Sequence, residues 1–457
     1  MLAAFLPPYP FRGTAAPYLW WYYRLLTLWS DESAYFITGR EYTQPVAHWQ
    51  DRWECLPGWA TRLDYRLPDE PHPAQHRFGW LDDRFGHWLA SAGGNPLAVF
   101  RRFLTERDAV YEDELRSLLK AAPAALEAVI TPCNVPSLEA VCAELAIPVI
   151  HVELGPMRAP VYRDTGYVDF RGVNGNTECA SRYAAWHGRR PPFEWNDLLH
   201  FFGNGMAARL RKAKDPEWDI GIVLQVEDDS NLVAFGNGMD NLGLLLAARL
   251  QAQGGRLDVC VRPHPGSVFA LRDPTFRLDD SPDSFTFVQR SARVLTTNSS
   301  VGLEAVLVGR PAEAFGDCSF DFLLSRMERS EQLDRLAFYL LGYLVPFALQ
   351  LEPQYLRFRL GAPSEESIII RHLEEYMRQQ DLDHKIFSEL SPETRAAVLV
   401  FVANHAKLAD ERVASLEKTL KERDERIDGF INSMSWKVTA PLRWVHRRIL
   451  LRHSASR

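Results

Sequence analysis

Two stretches of the chain alternate short apolar runs with amphipathic helical segments, and this alternation limits the folds that the chain can adopt. In the first stretch the runs LEAVI and IPVIHV flank the segment SLEAVCAELA, for which Ser137 is the expected N-cap. In the second, DIGIVLQV, LDVCVR and SARVLTT alternate with NLGLLLAARLQAQGG and SVGLEAVLVGRP. Continuous β-branched runs separated by helices are typical of parallel sheets that are covered on both faces. We therefore predict an α/β protein with two Rossmann-like domains that face a central cleft.

The same patterns divide the chain into five segments. We predict an N-terminal Rossmann-like domain over residues 1–215 and a C-terminal Rossmann-like domain over residues 216–345. Helices of residues 346–405 are expected to pack back onto this body. A charged segment with apolar residues at heptad spacing predicts a short coiled coil over residues 406–434, and a basic amphipathic helix is predicted over residues 435–457.

The last of these segments combines basic and apolar residues and contains no acidic one. Its basic residues are Lys437, Arg443, Arg447, Arg448, Arg452 and Arg457. Interfacial tryptophans beside such a basic face favour a helix that lies on an anionic membrane surface. A solvated basic tail that packs on its own protein is the alternative.

Composition excludes several classes of protein. The 457 residues are 46% hydrophobic and 24% charged, which is a globular composition, and the net charge of −7 disfavours nucleic-acid binding driven by bulk positive charge. The six cysteines are far apart and form no CxxC pair, which indicates reduced thiols rather than disulfides or a structural metal site. The sequence shows neither a good signal peptide nor an apolar run of the roughly 18–20 residues that span a bilayer.

Eight of the thirteen tryptophans precede residue 90, in an opening that is rich in proline and aromatic residues. Aromatic side chains are mostly core residues, so we favour a large hydrophobic core there. A platform on which an acceptor sugar stacks is the alternative, and composition does not separate the two.

Carboxylates follow two of the predicted strands, at the sheet edge where open α/β sheets bind ligands. Glu153 ends the run HVE and is suited to general acid or base catalysis, although a salt bridge with the nearby Arg158 would explain it equally well. Glu227, Asp228 and Asp229 crowd the end of the strand that opens the second half. They are consistent with a solvated acidic turn, with a D-x-D metal site, or with a catalytic nucleophile.

Donors of hydrogen bonds follow two further strands. Arg262 and His264 lie in the rigid loop RPHP, and both suit a phosphate or a carboxylate. Asn298, Ser299 and Ser300 open a predicted helix, whose N-terminus favours an anion, and Glu304 follows one turn later, where it can bind ribose hydroxyls. Ordinary N-capping would explain one of the two serines.

As a set, these segments resemble a known enzyme family. The HP loop and the SSxGxE helix start resemble the CMP-binding half of GT-B bacterial glycosyltransferases that use CMP-activated ulosonic acids. PCNVPSLEAVCAELAIPVIHVELGPMR, RDTGYVDFRGVNG and LQVEDDSNLVAFGNG resemble the retaining β-Kdo transferases of capsule and O-antigen assembly. The resemblance covers roughly residues 120–320.

This resemblance implies transfer of Kdo from CMP-β-Kdo to a sugar hydroxyl of a growing bacterial surface glycan, with retention. The family's catalytic carboxylates fall on Glu153, which would assist proton transfer, and on Asp229, which would form a covalent Kdo-enzyme adduct; Asp228 is the other candidate for the nucleophile. Substrate binding falls on Arg158, Gln225 and Asn134. The CMP-binding residues implied are Arg262, His264, Asn298, Ser299, Ser300 and Glu304.

The resemblance also implies the partners and the location of the protein. No cofactor and no metal are expected, because one phosphate can be stabilised by these donors, which favours the nucleophile over the D-x-D interpretation of residues 227–229. It implies a lipid-linked glycan acceptor and a place on the inner face of the plasma membrane. The predicted coiled coil would join two copies of the chain or bind a partner enzyme of glycan assembly. A transferase for another CMP-nonulosonic acid, such as a sialic acid, and an inactive GT-B scaffold are the alternatives.

Overall fold

The computed structural model describes residues 1–10, 16–44, 76–159, 161–188, 190–203, 215–252, 256–267, 271–378 and 390–405. The chain divides into two compact units, Met1–Arg395 and Ala396–Arg457. The predicted coiled coil of residues 406–434 and the predicted basic helix of residues 435–457 lie outside the described residues.

The first unit contains two sheets, and the larger one is built mainly from the N-terminal third of the chain. Its seven strands lie in the order β12-β6-β5-β4-β1-β2-β3. The strands are β1 (Leu2–Phe5), β2 (Ala34–Thr38), β3 (Arg77–Trp80), β4 (Ala128–Thr131), β5 (Val149–Leu154), β6 (Thr165–Asp169) and β12 (Val345–Pro346). Strands β1 to β5 are parallel, whereas β6 runs antiparallel to β5 and to β12. The strand order reverses between β1 and β4.

Helices cover both faces of this sheet. They are α1 (Leu19–Leu28), α2 (Phe85–Ser91), α3 (Pro96–Thr105), α4 (Ala109–Lys120) and α5 (Pro136–Glu144). Helices α6 (Cys179–Ala185) and α7 (Trp195–Phe202) follow β6 in the chain. Helix α1 has the sequence LWWYYRLLTL, and most of its side chains are buried against one face of the sheet. Trp21 and Trp29 are almost completely buried. For these two residues the structure confirms the core interpretation of the aromatic opening rather than the sugar-stacking platform.

The second sheet has five parallel strands in the order β11-β10-β7-β8-β9. They are β7 (Trp218–Val223), β8 (Val259–Arg262), β9 (Arg277–Leu278), β10 (Ser291–Thr296) and β11 (Ala312–Ala314). The helices between them are α8 (Ser230–Phe235), α9 (Asn241–Gln251), α10 (Ser284–Arg290) and α11 (Val301–Leu307). Strand β7 is hydrogen-bonded to β8 on one side and to β10 on the other, so the loops after β7 and β10 diverge and leave a crevice.

The chain then returns to the first sheet. After α12 (Arg329–Phe338) and a π-helical turn (Tyr339–Tyr343), β12 pairs with β6, and α13 (Pro353–Leu360) and α14 (Glu365–Arg378) follow. Leu349 and Tyr355 belong to the same core cluster as α1. Helix α15 (Pro392–His405) ends the described residues. No helix in these ranges is both long and apolar enough to cross a bilayer.

Local sequence signals predicted most strands and helices of the two halves. The predicted N-cap of helix α5, Ser137, is wrong. The residue before helix α5 is Val135, and Pro136 occupies its first turn, where the missing proline N–H costs nothing. The Ser137 hydroxyl instead accepts a hydrogen bond from the Asp108 N–H at 2.9 Å. Gly309 follows helix α11 and has a φ of 75°, which glycine adopts without strain.

Candidate functional site

A cleft of about 300 Å³ lies within the first unit, and residues of both sheet domains line it. Seven of the predicted site residues are in its wall: Arg158, Gln225, Asp229, His264, Asn298, Ser299 and Ser300. These residues are distant in sequence, but they follow the carboxyl ends of β5, β7, β8 and β10. Parallel strands bring those ends to one edge of each sheet, which explains why the four polar segments meet.

Asp229 is the acidic residue of the segment 227–229 that lines the cleft. It is the N-cap of helix α8, and its Oδ1 accepts a hydrogen bond from the Asn231 N–H at 2.8 Å. Its Oδ2 has no hydrogen-bond partner among the described residues, and the side chain is half-buried. One oxygen therefore fixes the carboxylate, and the other remains available to react. Glu227 accepts a hydrogen bond from the Ser267 hydroxyl, and neither it nor Asp228 is in the cleft wall.

His264 is exposed in the loop after β8, and a backbone contact fixes its tautomer. The Gly266 N–H donates a hydrogen bond to His264 Nδ1 at 3.0 Å. Since Nδ1 accepts a hydrogen bond, the neutral ring carries its proton on Nε2. His264 thus offers an N–H donor at the cleft.

Ser299 and Ser300 precede helix α11 and leave polar groups free of internal bonds. Ser300 is the N-cap, but its hydroxyl makes no capping hydrogen bond, so ordinary N-capping does not account for it. Its backbone N–H also has no partner among the described residues, whereas the Ser299 N–H donates to the Thr296 hydroxyl at 3.0 Å. The Ser299 hydroxyl makes only a long contact of 3.4 Å with the Val301 N–H. These groups can donate to an anion.

Gln225 and Asn298 are buried and bind each other across the sheet. Gln225 Nε2 donates to Asn298 Oδ1 at 3.0 Å, and the Asn298 N–H donates to Gln225 Oε1 at 3.2 Å. Asn298 Nδ2 also donates to the backbone oxygen of Asn231 at 2.9 Å. These amides therefore hold the loops after β7 and β10 in register beneath the cleft, while part of each side chain lines it.

The N-terminal domain contributes Arg158. Its Nε donates to the backbone oxygen of Gly155 at 2.8 Å, and no carboxylate among the described residues forms an ion pair with it. The salt bridge with Glu153 is therefore not formed. Glu153 lies within β5, half-buried, and its Oε1 accepts from the Leu154 N–H at 2.7 Å. Leu154 lines the cleft, and Glu153 itself does not.

Three other predicted residues lie outside the cleft wall, each with its polar groups engaged elsewhere. The guanidinium of Arg262 forms an ion pair with the buried Asp279. Glu304 is buried, accepts hydrogen bonds from the Ser284 hydroxyl at 2.9 and 3.1 Å, and has a pKa that burial raises to about 7. Asn134 is described below.

Asn134 holds the loop that follows β6. Its Nδ2 donates to the Val173 oxygen at 2.8 Å, and its Oδ1 accepts from the Val173 N–H at 2.9 Å. Asp169 accepts from the N–H groups of Arg171, Gly172 and Glu178 at 2.7–3.0 Å. This loop presents Asn174 to the cleft.

We expect Asn134→Leu to cost about 2 kcal/mol of stability, because Val173 then leaves a buried donor and acceptor unpaired. Thermal unfolding measures this loss. Activity should fall as well, since Asn174 is no longer held. Asn95→Leu is a control for activity alone, because Asn95 caps helix α3 outside the cleft and its loss should also lower stability, by about 1 kcal/mol. Equal melting temperatures for wild type and Asn134→Leu would contradict the assigned clamp.

Several residues of the cleft wall were not predicted from the sequence: Asn174, Asn231, Tyr167 and Ser319. The hydroxyls of Tyr167 and Ser319 are 3.1 Å apart, a hydrogen bond between the two domains. Asn174 has a φ of 71°, an uncommon conformation for a residue other than glycine. The run VNGN was the available signal, because asparagine and glycine mark such turns. Among the described residues no group of three or more His, Cys, Asp and Glu side chains is arranged to hold a metal ion.

Comparison with known proteins gives one family match and several distant structural similarities. Residues 4–178 match the model of the glycosyltransferase 99 family N-terminal domain. The solved structure of the Thermosulfurimonas dismutans KpsC, a β-Kdo 2,7 transferase, is 17% identical over 54% of this chain and 88% of that chain, with a TM-score of 0.39. For the KpsC β-Kdo 2,4 transferase of the same organism the identity is 14%, over 47% and 80% of the chains, with a TM-score of 0.34.

A UDP-GlcNAc 2-epimerase from Methanocaldococcus jannaschii is 12% identical over 68% of this chain and 82% of that chain, with a TM-score of 0.25. No curated protein matches the sequence. The matched residues 4–178 contain strands β2 to β6 and include Arg158, Tyr167 and Asn174 of the cleft wall. Residues 4–178 are therefore similar to the N-terminal domain of the glycosyltransferase 99 family.

Proposed function

We propose that the protein is a retaining transferase that moves Kdo from CMP-β-Kdo to a sugar hydroxyl of a growing bacterial surface glycan. The observation that carries this proposal is the convergence of Asp229, His264, Ser300 and Arg158 on one cleft between the two domains. The family match, and the motif set that resembles the β-Kdo transferases, support it.

The donor phosphate is bound on the C-terminal side of the cleft. The His264 Nε2–H, the Ser300 N–H and the serine hydroxyls donate hydrogen bonds to the phosphate oxygens. These donors stabilise the negative charge that grows on CMP as it leaves, and donors fixed in advance are more effective than solvent water. No metal is required in this scheme.

The carboxylate of Kdo is bound by Arg158. This carboxylate is attached to the anomeric carbon of the sugar, so a cation is needed close to the reacting centre. Arg158 enters from the N-terminal domain, and no described carboxylate neutralises it. Its planar guanidinium suits a carboxylate partner.

Transfer proceeds in two displacements, each of which inverts the anomeric carbon. In the first, Asp229 Oδ2 forms a bond to that carbon while the bond to the CMP oxygen breaks and CMP leaves with the electron pair. In the second, the acceptor hydroxyl attacks the same carbon, Glu153 accepts its proton, and the bond to Asp229 breaks. Two inversions give net retention. Glu153 itself is outside the cleft wall, so its role as the base in this scheme rests on the resemblance to the β-Kdo transferases.

The experiment that tests the function is a CMP-release assay with two donors. The full chain is incubated with CMP-Kdo or with CMP-sialic acid and a panel of synthetic acceptors, and the products are analysed by NMR. Release from CMP-Kdo with a β-linked product supports the proposal. Release only from CMP-sialic acid would favour a transferase of another nonulosonic acid, and no release from either would favour an inactive scaffold.

We further propose that residues 406–457 hold the enzyme at the inner face of the plasma membrane, beside a lipid-linked acceptor. The supporting feature is the block of six basic residues beside two tryptophans, Trp436 and Trp444. The heptad segment of residues 406–434 would join two copies or a partner enzyme of glycan assembly.

We expect a chain that ends at residue 405 to remain active and to lose its binding to anionic vesicles. Each basic residue near such a surface contributes about 1 kcal/mol of binding, so removal of six has a large effect. Co-sedimentation with vesicles that contain phosphatidylglycerol measures it, and neutral vesicles are the control. Equal sedimentation of the full and shortened chains would disprove the membrane role of this segment.

A further inference from the structure

A buried amide oxygen beside Asp229 has no partner. The Oδ1 of Asn231 is shielded from solvent and makes no hydrogen bond with the described residues. Asn231 lines the cleft, two residues after Asp229. A buried acceptor without a donor destabilises the free protein, and a donor group supplied by a substrate removes this penalty.

The backbone of Asn231 is fixed on both sides. Its N–H donates to Asp229 Oδ1 at 2.8 Å, and its carbonyl oxygen accepts from Asn298 Nδ2 at 2.9 Å. The backbone of Asn231 and the carboxylate of Asp229 are therefore parts of one hydrogen-bonded assembly. Both residues line the cleft, so the Asn231 side chain lies on the same wall as a group bonded to Asp229.

Helix α8, which carries Asn231, is also held by the other domain. Arg101 Nε donates to the carbonyl oxygen of Val233 at 3.2 Å, and the Val233 side chain belongs to the core of the N-terminal domain. Gly175 packs against the ring of Phe235 so closely that a Cβ atom would lie 2.3 Å from it. Asn231 thus cannot turn away to find another partner by a shift of the helix.

We propose that Asn231 Oδ1 accepts a hydrogen bond from a hydroxyl of the sugar that is transferred, and that it determines which sugar the enzyme accepts. This inference depends on the proposed function, because it takes the sugar to be bonded to Asp229. Kdo offers several hydroxyls that can donate, and a sugar without a hydroxyl at the matching position leaves the oxygen unpaired. Asn231 is in this sense a specificity-determining residue.

The test compares donor analogues with variants. CMP-Kdo and analogues that each lack one hydroxyl of the transferred sugar are assayed with the wild type, Asn231→Ala and Asn231→Asp. For the wild type we expect one analogue to lose about 10- to 100-fold in kcat/KM. In Asn231→Ala that analogue and CMP-Kdo should agree within about threefold. Asn231→Asp retains an acceptor oxygen, so it should restore the discrimination even where its turnover is lower.

A matched control uses another asparagine of the same segment. Asn237 is exposed, lies outside the cleft wall and has a φ of 51°, so Asn237→Gly removes an amide without strain. This variant should keep the wild-type discrimination. Melting temperatures establish that each variant is folded.

Three results would overturn the inference while the wild type remains active on CMP-Kdo. They are an unchanged penalty in Asn231→Ala, the absence of a penalty for every analogue in the wild type, and a penalty that follows hydroxyls of the acceptor instead of the donor sugar. If the wild type releases no CMP from CMP-Kdo, the proposed function itself fails, and this inference fails with it.

Discussion

Asp229→Asn is expected to reduce turnover by about 10⁴-fold or more while the protein remains folded. The substitution removes the oxygen that we propose as the nucleophile, and loss of a covalent nucleophile has effects of this size. Asparagine is as good an N-cap as aspartate, so helix α8 keeps its first hydrogen bond. The variant should therefore melt close to the wild type, and CMP release measures the loss of activity.

Asp228→Asn is the matched control, because it removes the adjacent carboxylate, which is outside the cleft wall. We expect it to retain activity within about tenfold of the wild type. Intact-mass spectrometry of the enzyme with CMP-Kdo should reveal an added Kdo in the wild type and none in Asp229→Asn. If Asp228→Asn were the inactive variant and Asp229→Asn the active one, the assignment of the nucleophile would be reversed.

His264→Ala is expected to lower kcat by about 10²- to 10³-fold and to weaken CMP binding by about tenfold. The first effect is the loss of one donor to the leaving phosphate, and losses of this size are typical of such donors. The second follows because CMP carries the same phosphate as the donor. Turnover is measured by CMP release and binding by calorimetry.

His87→Ala serves as the control, since His87 is an exposed histidine that is not in the wall of this cleft. It should leave both quantities unchanged. If His264→Ala bound CMP with wild-type affinity and turned over within about threefold of the wild type, His264 would have no role at the phosphate.

The sequence was informative about strands and about the residues that follow them. The apolar runs are local signals, and the carboxyl ends of parallel strands converge by geometry, so Asp229, His264 and Ser300 were predicted to share a cleft and do so. Neither the length of the apolar run nor the spacing of the acidic residues indicates whether Asp228 or Asp229 faces the cleft. The cap geometry of helix α8 separates Asp229 from Asp228, and that depends on how the whole helix packs.

The sequence did not predict contacts between segments that are distant along the chain. Asn134 was predicted to bind substrate, but its amide pairs with the backbone of Val173, a contact that depends on the path of a loop 39 residues later. Arg262 and Glu304 were likewise assigned to CMP, and their partners Asp279 and Ser284 come from elements that no local pattern links to them. Such polar pairs produce no periodic pattern in the sequence from which they could be predicted.

The return of the chain to the first sheet makes the second domain an insertion. Strand β12 joins the N-terminal sheet after all five strands of the other sheet are complete, and Trp29 Nε1 donates to the backbone oxygen of Leu351 at 2.8 Å. The polypeptide therefore passes between the two sheet domains twice. An N-terminal fragment alone would lack an edge strand, whereas the second domain begins and ends beside the first, so we expect it to be exchangeable as one unit.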